Sequence, residues 1–238
     1  TTVFSTGNNK VFTGTTSLTD VTNSMTISAN NWKIVSFNND VYFFQRGHNA
    51  LEYTSSSSSL GVVHADAPDA NEVCAAFGRL WAGDVANNTY TLYFSDTLDG
   101  DDWTGGTSGS LDLRTVWPTG FDEIVAIKEF NNFLVIFGKQ SILVYQGASA
   151  PASMSLSDTI TGIGCIARDS VQSTGTDIIF LSDSGVRSLG RTIQEKSNPI
   201  GNVSKNVRDD IIHSTSVETG NIKSVYSPEE AFYLLFFP

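Results

Sequence analysis

The chain has 238 residues, of which 25 are acidic and 14 basic, so its net charge is −11 at neutral pH. The basic residues are scattered along the chain, and this composition argues against tight binding to nucleic-acid phosphates. The apolar runs reach about seven residues at most, whereas a helix that crosses a membrane needs roughly 20. We therefore expect neither membrane insertion nor a signal peptide.

Residues 1 to 31 predict the opening strands of a β-rich fold. They are rich in Thr, Ser and Asn and contain apolar pairs at Val3-Phe4 and Val11-Phe12. Residues Met25 to Ser28 alternate between apolar and polar side chains, which is typical of a strand with one buried face. We expect one or two strands in this segment.

Residues 32 to 60 and 71 to 103 each predict an antiparallel meander. In the first, Asn38-Asn39-Asp40 separates two apolar runs, and Gly78 takes the same place in the second. Turn residues between apolar runs indicate hairpins. The five-serine run at 55 to 59 is interpreted as a flexible loop.

Residues 121 to 147 carry the clearest form of this pattern. Three short runs of β-branched and aromatic residues are separated by Asn131-Asn132 and by Gly138 to Ser141. A three-stranded antiparallel meander fits the segment best, with Leu134 and Ile136 on its middle strand.

The pattern returns over residues 165 to 191 and, incompletely, over 221 to 238. The turns of successive units lie roughly 40 to 55 residues apart, a spacing typical of propeller blades. We therefore predict an all-β fold, a β-propeller-like array of antiparallel three- to four-stranded blades over residues 1 to 238. Because the chain starts without Met and stops inside the last unit, we expect a fragment of a longer protein.

One short helix is predicted between the last two units, near residues 203 to 213. It rests on three apolar residues spaced four apart, Val203, Val207 and Ile211. Asn202 or Ser204 is available as the N-cap.

The cysteines and tryptophans are interpreted as packing residues. Cys74 and Cys165 lie in or beside apolar runs and are expected to be small buried hydrophobes. A disulfide between them stays open on sequence alone. Core or inter-blade packing is favoured over a role as sugar platforms for the four tryptophans, Trp32, Trp81, Trp103 and Trp117.

The densest polar chemistry lies in residues 95 to 109, where four Asp fall within seven residues. Carboxylates can bind calcium, but this segment lacks the twelve-residue loop and its terminal Glu, so a solvated turn is favoured. The order Ser, Asp, Gly, Trp is similar to the Asp-box turn of sialidase-like propellers. That box has its Asp two residues before the Gly, whereas Asp99 directly precedes Gly100. In each interpretation we expect Trp103 to pack between strands and anchor the loop.

The sequence predicts no catalytic, cofactor-binding or metal site. His48, His64 and His213 lack metal-ligand spacing, and His64-Ala65-Asp66 is interpreted as a surface turn. Gly162 to Cys165 lacks the remaining glycine and the helical pattern of a dinucleotide site. Adjacent carboxylates on a strand point to opposite faces. We therefore expect exposed turns, rather than acid–base pairs, at Asp122-Glu123, Asp209-Asp210 and Glu229-Glu230.

A resemblance rests on strand and turn segments that follow one another between about residues 32 and 195. The segments are Phe77 to Gly83, Leu92 to Asp96 closing on Asp102-Trp103, Asp122 to Ala126, Leu134 to Phe137, Ser141-Ile142, Asp177 to Ser182 and Gly185 to Leu189. In this order they resemble the tail tubular protein B, or nozzle protein, family of short-tailed, podovirus-type bacteriophages.

The resemblance implies a non-enzymatic structural protein of the virion. Nozzle proteins form a homo-oligomer, a hexameric ring around the tail channel, which contacts the tail adaptor protein and the tail fibres and lets phage DNA pass during ejection. Acidic walls repel phosphates, so the charge suits transient passage of DNA without specific binding.

Two other functions stay open on the residues. A carbohydrate-binding or glycan-hydrolysing propeller is suggested by the Asp-box-like loop and the four tryptophans. A generic propeller interaction scaffold is the third, because a fold does not fix a function.

Overall fold

The computed structural model describes residues 2 to 195, 203 to 217 and 221 to 237. The chain divides into two compact units, Thr1–Leu111 and Asp112–Pro238. The described residues form six antiparallel sheets of two to four strands, three from each unit. This architecture confirms the predicted all-β class with antiparallel, blade-like sheets.

The first unit holds one three-stranded sheet and two four-stranded sheets, each a meander whose strands follow chain order. The first sheet contains β1 (Phe4–Gly7), β2 (Lys10–Thr13) and β3 (Thr19–Asp20). The second contains β4 (Lys33–Phe37), β5 (Asp40–Gln45), β6 (His48–Thr54) and β7 (Ser59–Val62). The third contains β8 (Ala70–Ala76), β9 (Arg79–Val85), β10 (Thr91–Phe94) and β11 (Gly109–Asp112).

The second unit begins with a four-stranded sheet of β12 (Ile124–Phe130), β13 (Phe133–Gly138), β14 (Ser141–Gln146) and β15 (Ser155–Thr161). A three-stranded sheet follows, with β16 (Gln172–Ser173), β17 (Ile178–Ser182) and β18 (Gly185–Ser188). The last is a hairpin of β19 (Lys223–Ser227) and β20 (Phe232–Phe236). The helices are α1 (Leu189–Glu195) and α2 (Arg208–Val217), with 3₁₀ turns at Pro151–Ser153, Arg168–Ser170 and Lys205–Val207.

Paired asparagines close the first hairpin of three sheets. Both residues have positive φ, at 51° and 58° in Asn8-Asn9, 49° and 76° in Asn38-Asn39, and 48° and 66° in Asn131-Asn132. A two-residue turn that follows the twist of the strands needs this conformation, and Asn tolerates it better than other residues with a Cβ. The turns predicted at Asn38 and Asn131 are therefore confirmed.

Within the first unit the sheets pack face to face in chain order. Phe43 and Phe44 are neighbours on β5 and both are fully buried. Successive strand residues point to opposite faces, so Phe43 joins a cluster with Val11 of the first sheet, and Phe44 joins one with Leu80 of the third. The middle sheet is thus covered on both faces.

The second unit repeats this arrangement with β17 as its central strand. Phe180 packs with Phe137 of β13, with ring centroids 5.1 Å apart, in the cluster between the first two sheets of this unit. Leu181 points to the other face and packs with Ile222, which directly precedes β19, and with the partly buried Leu235 on β20. Each full burial of such a side chain stabilises the fold by roughly 1.5–3 kcal/mol.

Several local predictions were wrong. Strands β7, β11 and β15 were missed because these edge strands are rich in Ser, Thr, Gly and Asp and bury few apolar side chains. Conversely, Met25 to Ser28 forms no strand, although Ile27 is buried in a cluster. The strand predicted through Leu189 ends at Ser188, because Leu189 already begins α1.

The predicted helix near 203 to 213 is present but begins later, with a 3₁₀ turn at Lys205–Val207 followed by α2. Ser204 precedes it, yet its side chain makes no cap hydrogen bond. Its Oγ instead accepts the backbone N–H of Val186 at 3.0 Å, which ties the segment to β18. The alternative cap, Asn202, lies outside the described residues.

We expect Leu134→Asp to abolish the fold of the second unit. Leu134 is fully buried on β13, and an unpaired carboxylate there costs roughly 4 kcal/mol or more of unfolding free energy. Leu156→Asp is the matched control, because Leu156 is 41% exposed on edge strand β15 of the same sheet. Urea denaturation of both variants measures the difference, and equal stabilities would refute the placement of β13 in the core.

Candidate functional site: the aspartate-rich loop

The aspartate-rich loop, residues 95 to 109, connects β10 to β11 in the first unit. It starts at Ser95, whose buried hydroxyl accepts the backbone N–H of Leu80 at 3.1 Å. The backbone N–H of Leu98 reaches back to the carbonyl of Gly78 at 2.7 Å. The loop is therefore hydrogen-bonded to the β8–β9 hairpin at two points, Gly78 in the turn and Leu80 on β9.

Arg79 joins the two ends of the loop. It is 2% exposed at the start of β9 and donates to the carbonyls of Ser95 at 2.7 Å and Thr107 at 3.2 Å. Its second terminal nitrogen reaches the hydroxyls of Thr97 at 2.7 Å and Thr107 at 3.1 Å. Burial lowers the pKa of Arg79, and the nearby Asp96 carboxylate opposes that shift. Sequence reasoning missed this clamp; the available signal was an arginine directly after a turn in an apolar strand.

Three of the four aspartates hold the loop backbone. Asp96 accepts the N–H and the hydroxyl of Thr107 at 2.8 and 2.6 Å. Asp99 accepts the N–H of Asp101 at 2.9 Å, and Asp102 accepts that of Gly105 at 2.6 Å. The bonds from Thr107 are the main reason why the pKa of Asp96 falls to about 2.

Asp101 is the exception. Its Oδ1 atom is buried and has no hydrogen-bond partner among the described residues. Burial raises the pKa of Asp101, and the negative charges of Asp99 and Asp40 raise it further. Glu52 lies in the same environment: burial and Asp101 raise its pKa, while the hydroxyl of Tyr42 donates to it at 3.2 Å. These two carboxyls therefore hold their protons to higher pH than ordinary acids.

A cleft of about 390 Å³ lies against these carboxylates, lined by His64, Asp99, Asp101, Asp102, Thr104 and Gly105. Asp99 and Asp102 already accept backbone N–H bonds, which compete with any cation for the same oxygens. In the part of the chain that the structure describes, no three His, Cys, Asp or Glu side chains are arranged to hold a metal ion. The geometry thus favours a hydrogen-bonded turn over the calcium-loop alternative.

Trp103 anchors the loop, as predicted. Its indole ring is 7% exposed, packs at 6.0 Å from Phe44, and donates to the carbonyl of Gly100 at 2.9 Å. Gly100 is required here, because a Cβ would lie 2.5 Å from the Tyr42 ring. The Gly and Trp of the Asp-box-like order therefore serve packing.

Of the three histidines, His64 lies beside the aspartate-rich loop, in the cleft described above. His64 forms the expected surface turn, with Nδ1 3.0 Å from Asp66 Oδ2. The expectation of an exposed turn was wrong for Asp122, which is buried and accepts the N–H groups of Lys139 and Gln140 at 2.8 and 3.0 Å. Glu229-Glu230 lie in an exposed turn, as expected. Asp209-Asp210 are exposed too, but they lie in the first turn of α2 and not in a connecting turn.

The cysteines and tryptophans are buried, as predicted. Cys74 and Cys165 are not joined to each other, so the disulfide left open by the sequence does not form. The four tryptophans are between 0 and 7% exposed. A ring that binds a sugar by stacking needs an exposed face, so the buried tryptophans no longer support the carbohydrate hypothesis.

No family model and no curated protein matches the chain. Among solved structures, it is similar to YCF48 bound to D1 peptide, with a TM-score of 0.50 and 11% identity over 78% of this chain and 59% of that chain. It also matches the extracellular domain of a hybrid two-component system from B. thetaiotaomicron, with a TM-score of 0.49 and 8% identity over 79% of this chain and 24% of that one. The chain spans less than two thirds of either structure. The likeness to YCF48 shows the fold, which is of the propeller type.

The helices of the described segments are too short or too polar to cross a membrane.

We expect Asp96→Asn and Asp101→Asn to change stability in opposite directions. The pKa of Asp96 is lowered from 3.8 to about 2, so its stabilisation is complete above the unfolded pKa and is lost as the pH falls through 2. The pKa of Asp101 is raised, so ionisation of Asp101 costs stability as the pH rises above 3.8. At neutral pH, Asp96→Asn should destabilise the loop and Asp101→Asn should stabilise it.

Carboxyl NMR titration gives the two pKa values, and urea denaturation at neutral and acid pH gives the stabilities. Both effects should shrink towards the acid end, where the wild-type carboxyls are protonated. Similar titration of Asp96 and Asp101 would contradict the assigned environments.

Proposed function

We propose that this chain is a structural, non-enzymatic module of a phage tail nozzle, located in the virion. The observation that carries the proposal is the use of the polar residues in the aspartate-rich loop. The described hydrogen bonds go to other residues of the loop itself for the side chains of Arg79, Asp96, Asp99 and Asp102. A site of this construction supports a rigid connection between strands and leaves little polar chemistry for a substrate.

The residues that carry the resemblance support the same reading. Trp81 is fully buried and donates to the carbonyl of Ala76 at 3.0 Å. Asp122 caps the turn after β13, and Asp177 accepts the N–H groups of Ile178 and Gly190 at 2.7 and 2.8 Å. These residues serve packing and turn formation, which are the roles that a structural protein requires of them.

The charge is compatible with a conduit for DNA. The chain has a net charge of −11, and like charges on a wall and on phosphates repel, which limits adhesion. In the proposed assembly the subunits form a homo-oligomeric, hexameric ring that meets the tail adaptor protein and the tail fibres and lets DNA pass without specific binding.

A polypeptide-binding scaffold is the second candidate function. The observation that favours it is the propeller-type fold shared with YCF48, a protein seen with a bound peptide. At 11% identity this likeness carries only the fold to this chain. The two candidates differ in where the protein is found, in virions or in cellular complexes.

Electron microscopy of the protein and of particles that carry it tests the proposal. We expect rings with a central channel, and density at the distal end of a short tail that is labelled by an antibody to this chain. Absence of the chain from purified virions, together with a monomer in solution, would reject the nozzle proposal and favour the scaffold.

Retention of double-stranded DNA provides an independent prediction. We expect no measurable retention at physiological salt, because the net charge of −11 opposes the counterion release that drives phosphate binding. A filter-binding assay over a range of salt concentrations measures this, with a basic DNA-binding protein as the positive control. Tight, salt-sensitive binding would contradict a sliding surface.

A further inference from the structure

A cleft of about 410 Å³ in the first unit is lined by side chains that the proposed function does not use. It lies between the segment that follows β3 and the β5–β6 hairpin. Its apolar lining includes Ile27, Trp32 and Leu51, which are 3 to 9% exposed. A cavity of this size that combines apolar walls with a few polar groups has the usual form of a binding site.

The polar side chains of this cleft are not engaged as those of the aspartate-rich loop are. Thr26, His48 and Asn49 make no side-chain hydrogen bond to the described residues, and the His48 ring only packs against Trp32, with centroids 5.9 Å apart. Each of the three can donate and accept. The lining, all of it within the described residues, contains no Asp, Glu, Lys or Arg, although the chain has a net charge of −11. The cleft therefore suits an uncharged group that offers hydrogen-bond donors and acceptors.

The backbone of Val62, which also lines the cleft, adds a further donor and acceptor. Val63 donates its N–H to the carbonyl of Ala50 at 2.9 Å. Since hydrogen-bonded and non-hydrogen-bonded pairs alternate in an antiparallel ladder, Leu51 and Val62 form a pair without mutual hydrogen bonds. The N–H and C=O of Val62 therefore point outward from the sheet, where β7 pairs with β6 alone among the described strands.

The open backbone is limited to the side of the cleft. The carbonyl of Leu60, which also points outward, accepts a hydrogen bond from the side chain of Asn23 at 3.1 Å. A residue of another chain that pairs with Val62 has its side chain on the same face of the sheet as Val62 and Leu51. Both of these line the cleft, so one residue can pair with the backbone and insert its side chain.

We infer that this cleft binds an extended segment of a partner polypeptide through one uncharged, apolar side chain. A polypeptide carries an apolar side chain and peptide N–H and C=O groups together, which match the apolar lining, the three polar side chains and the Val62 backbone. A sugar matches less well, because stacking needs an exposed aromatic face and Trp32 is 5% exposed.

Charge defines the residues that flank the inserted side chain. The backbone N–H of Gly47, which lines the cleft, donates to the carbonyl of Asp69 at 3.3 Å, so an acidic residue lies beside the cleft. With a net charge of −11 on the chain, basic flanking residues favour association and acidic ones oppose it. The inference does not rest on the nozzle proposal, because residues 25 to 62 alone carry it.

An array of synthetic heptapeptides tests the site, with Leu, Ser or Asp at the centre and Lys or Glu at both ends. We expect the full chain to bind the peptides with a Leu centre and Lys ends best. In an NMR titration to roughly 1 mM peptide, the amide signals of Gly47, Asn49 and Val62 should shift. The amide of Val62 should also exchange more slowly, because an added strand places a hydrogen bond on its N–H.

Two variants with matched controls separate the side-chain and backbone contacts. Thr26→Arg places a long charged side chain at the cleft and should weaken binding at least tenfold, whereas Ser24→Arg, exposed but outside the lining, should stay within twofold of the wild type. Val62→Pro removes only an outward N–H, which an edge strand tolerates, and should weaken binding by a similar factor. Val62→Thr keeps that N–H and should bind within twofold of the wild type.

Three results would overturn the inference: no binding by any peptide of the array, signal shifts confined to residues away from the cleft, or equal binding by Thr26→Arg, Val62→Pro and their controls. None of these results depends on ring formation or on the presence of the chain in virions. A failure of this site is therefore distinguishable from a failure of the nozzle proposal.

Discussion

Burial of β-strands on both faces is the constraint on which the rest of the fold depends. Phe43 and Phe44, like Phe180 and Leu181, are adjacent residues that enter two different clusters. A sheet that is buried on both faces needs another sheet packed against each face. The sheets of each unit therefore pack one after another in chain order. The loops are then free to vary, provided that each turn allows its two strands to pair.

The aspartate-rich loop shows how such a fold supports a long connection. One buried arginine, Arg79, binds both ends, and three carboxylates satisfy backbone N–H groups that would otherwise need water. The unfavourable electrostatics of this arrangement fall on Asp101 and Glu52, whose raised pKa values reflect burial beside other acids. A cluster of polar residues in a sequence can therefore stabilise the backbone of a loop rather than form a catalytic or binding site.

Burial of the sheets on both faces also bears on the proposed function. A propeller-type array whose polar residues are engaged internally offers surfaces and edges to partners, which suits a structural subunit.

Local sequence patterns were enough to predict the all-β class, the hairpin turns at Asn38 and Asn131, and the buried tryptophans, because these follow from local φ preferences and from the size of apolar side chains. Only the folded structure reveals the polar edge strands β7, β11 and β15, because their pairing depends on a neighbouring strand rather than on their own pattern. It also decided that Asp122 is a buried turn cap and that Arg79 clamps a loop ending 28 residues away at Thr107. Contacts between residues so far apart in sequence carry no local signal, since they exist only once the sheets have formed.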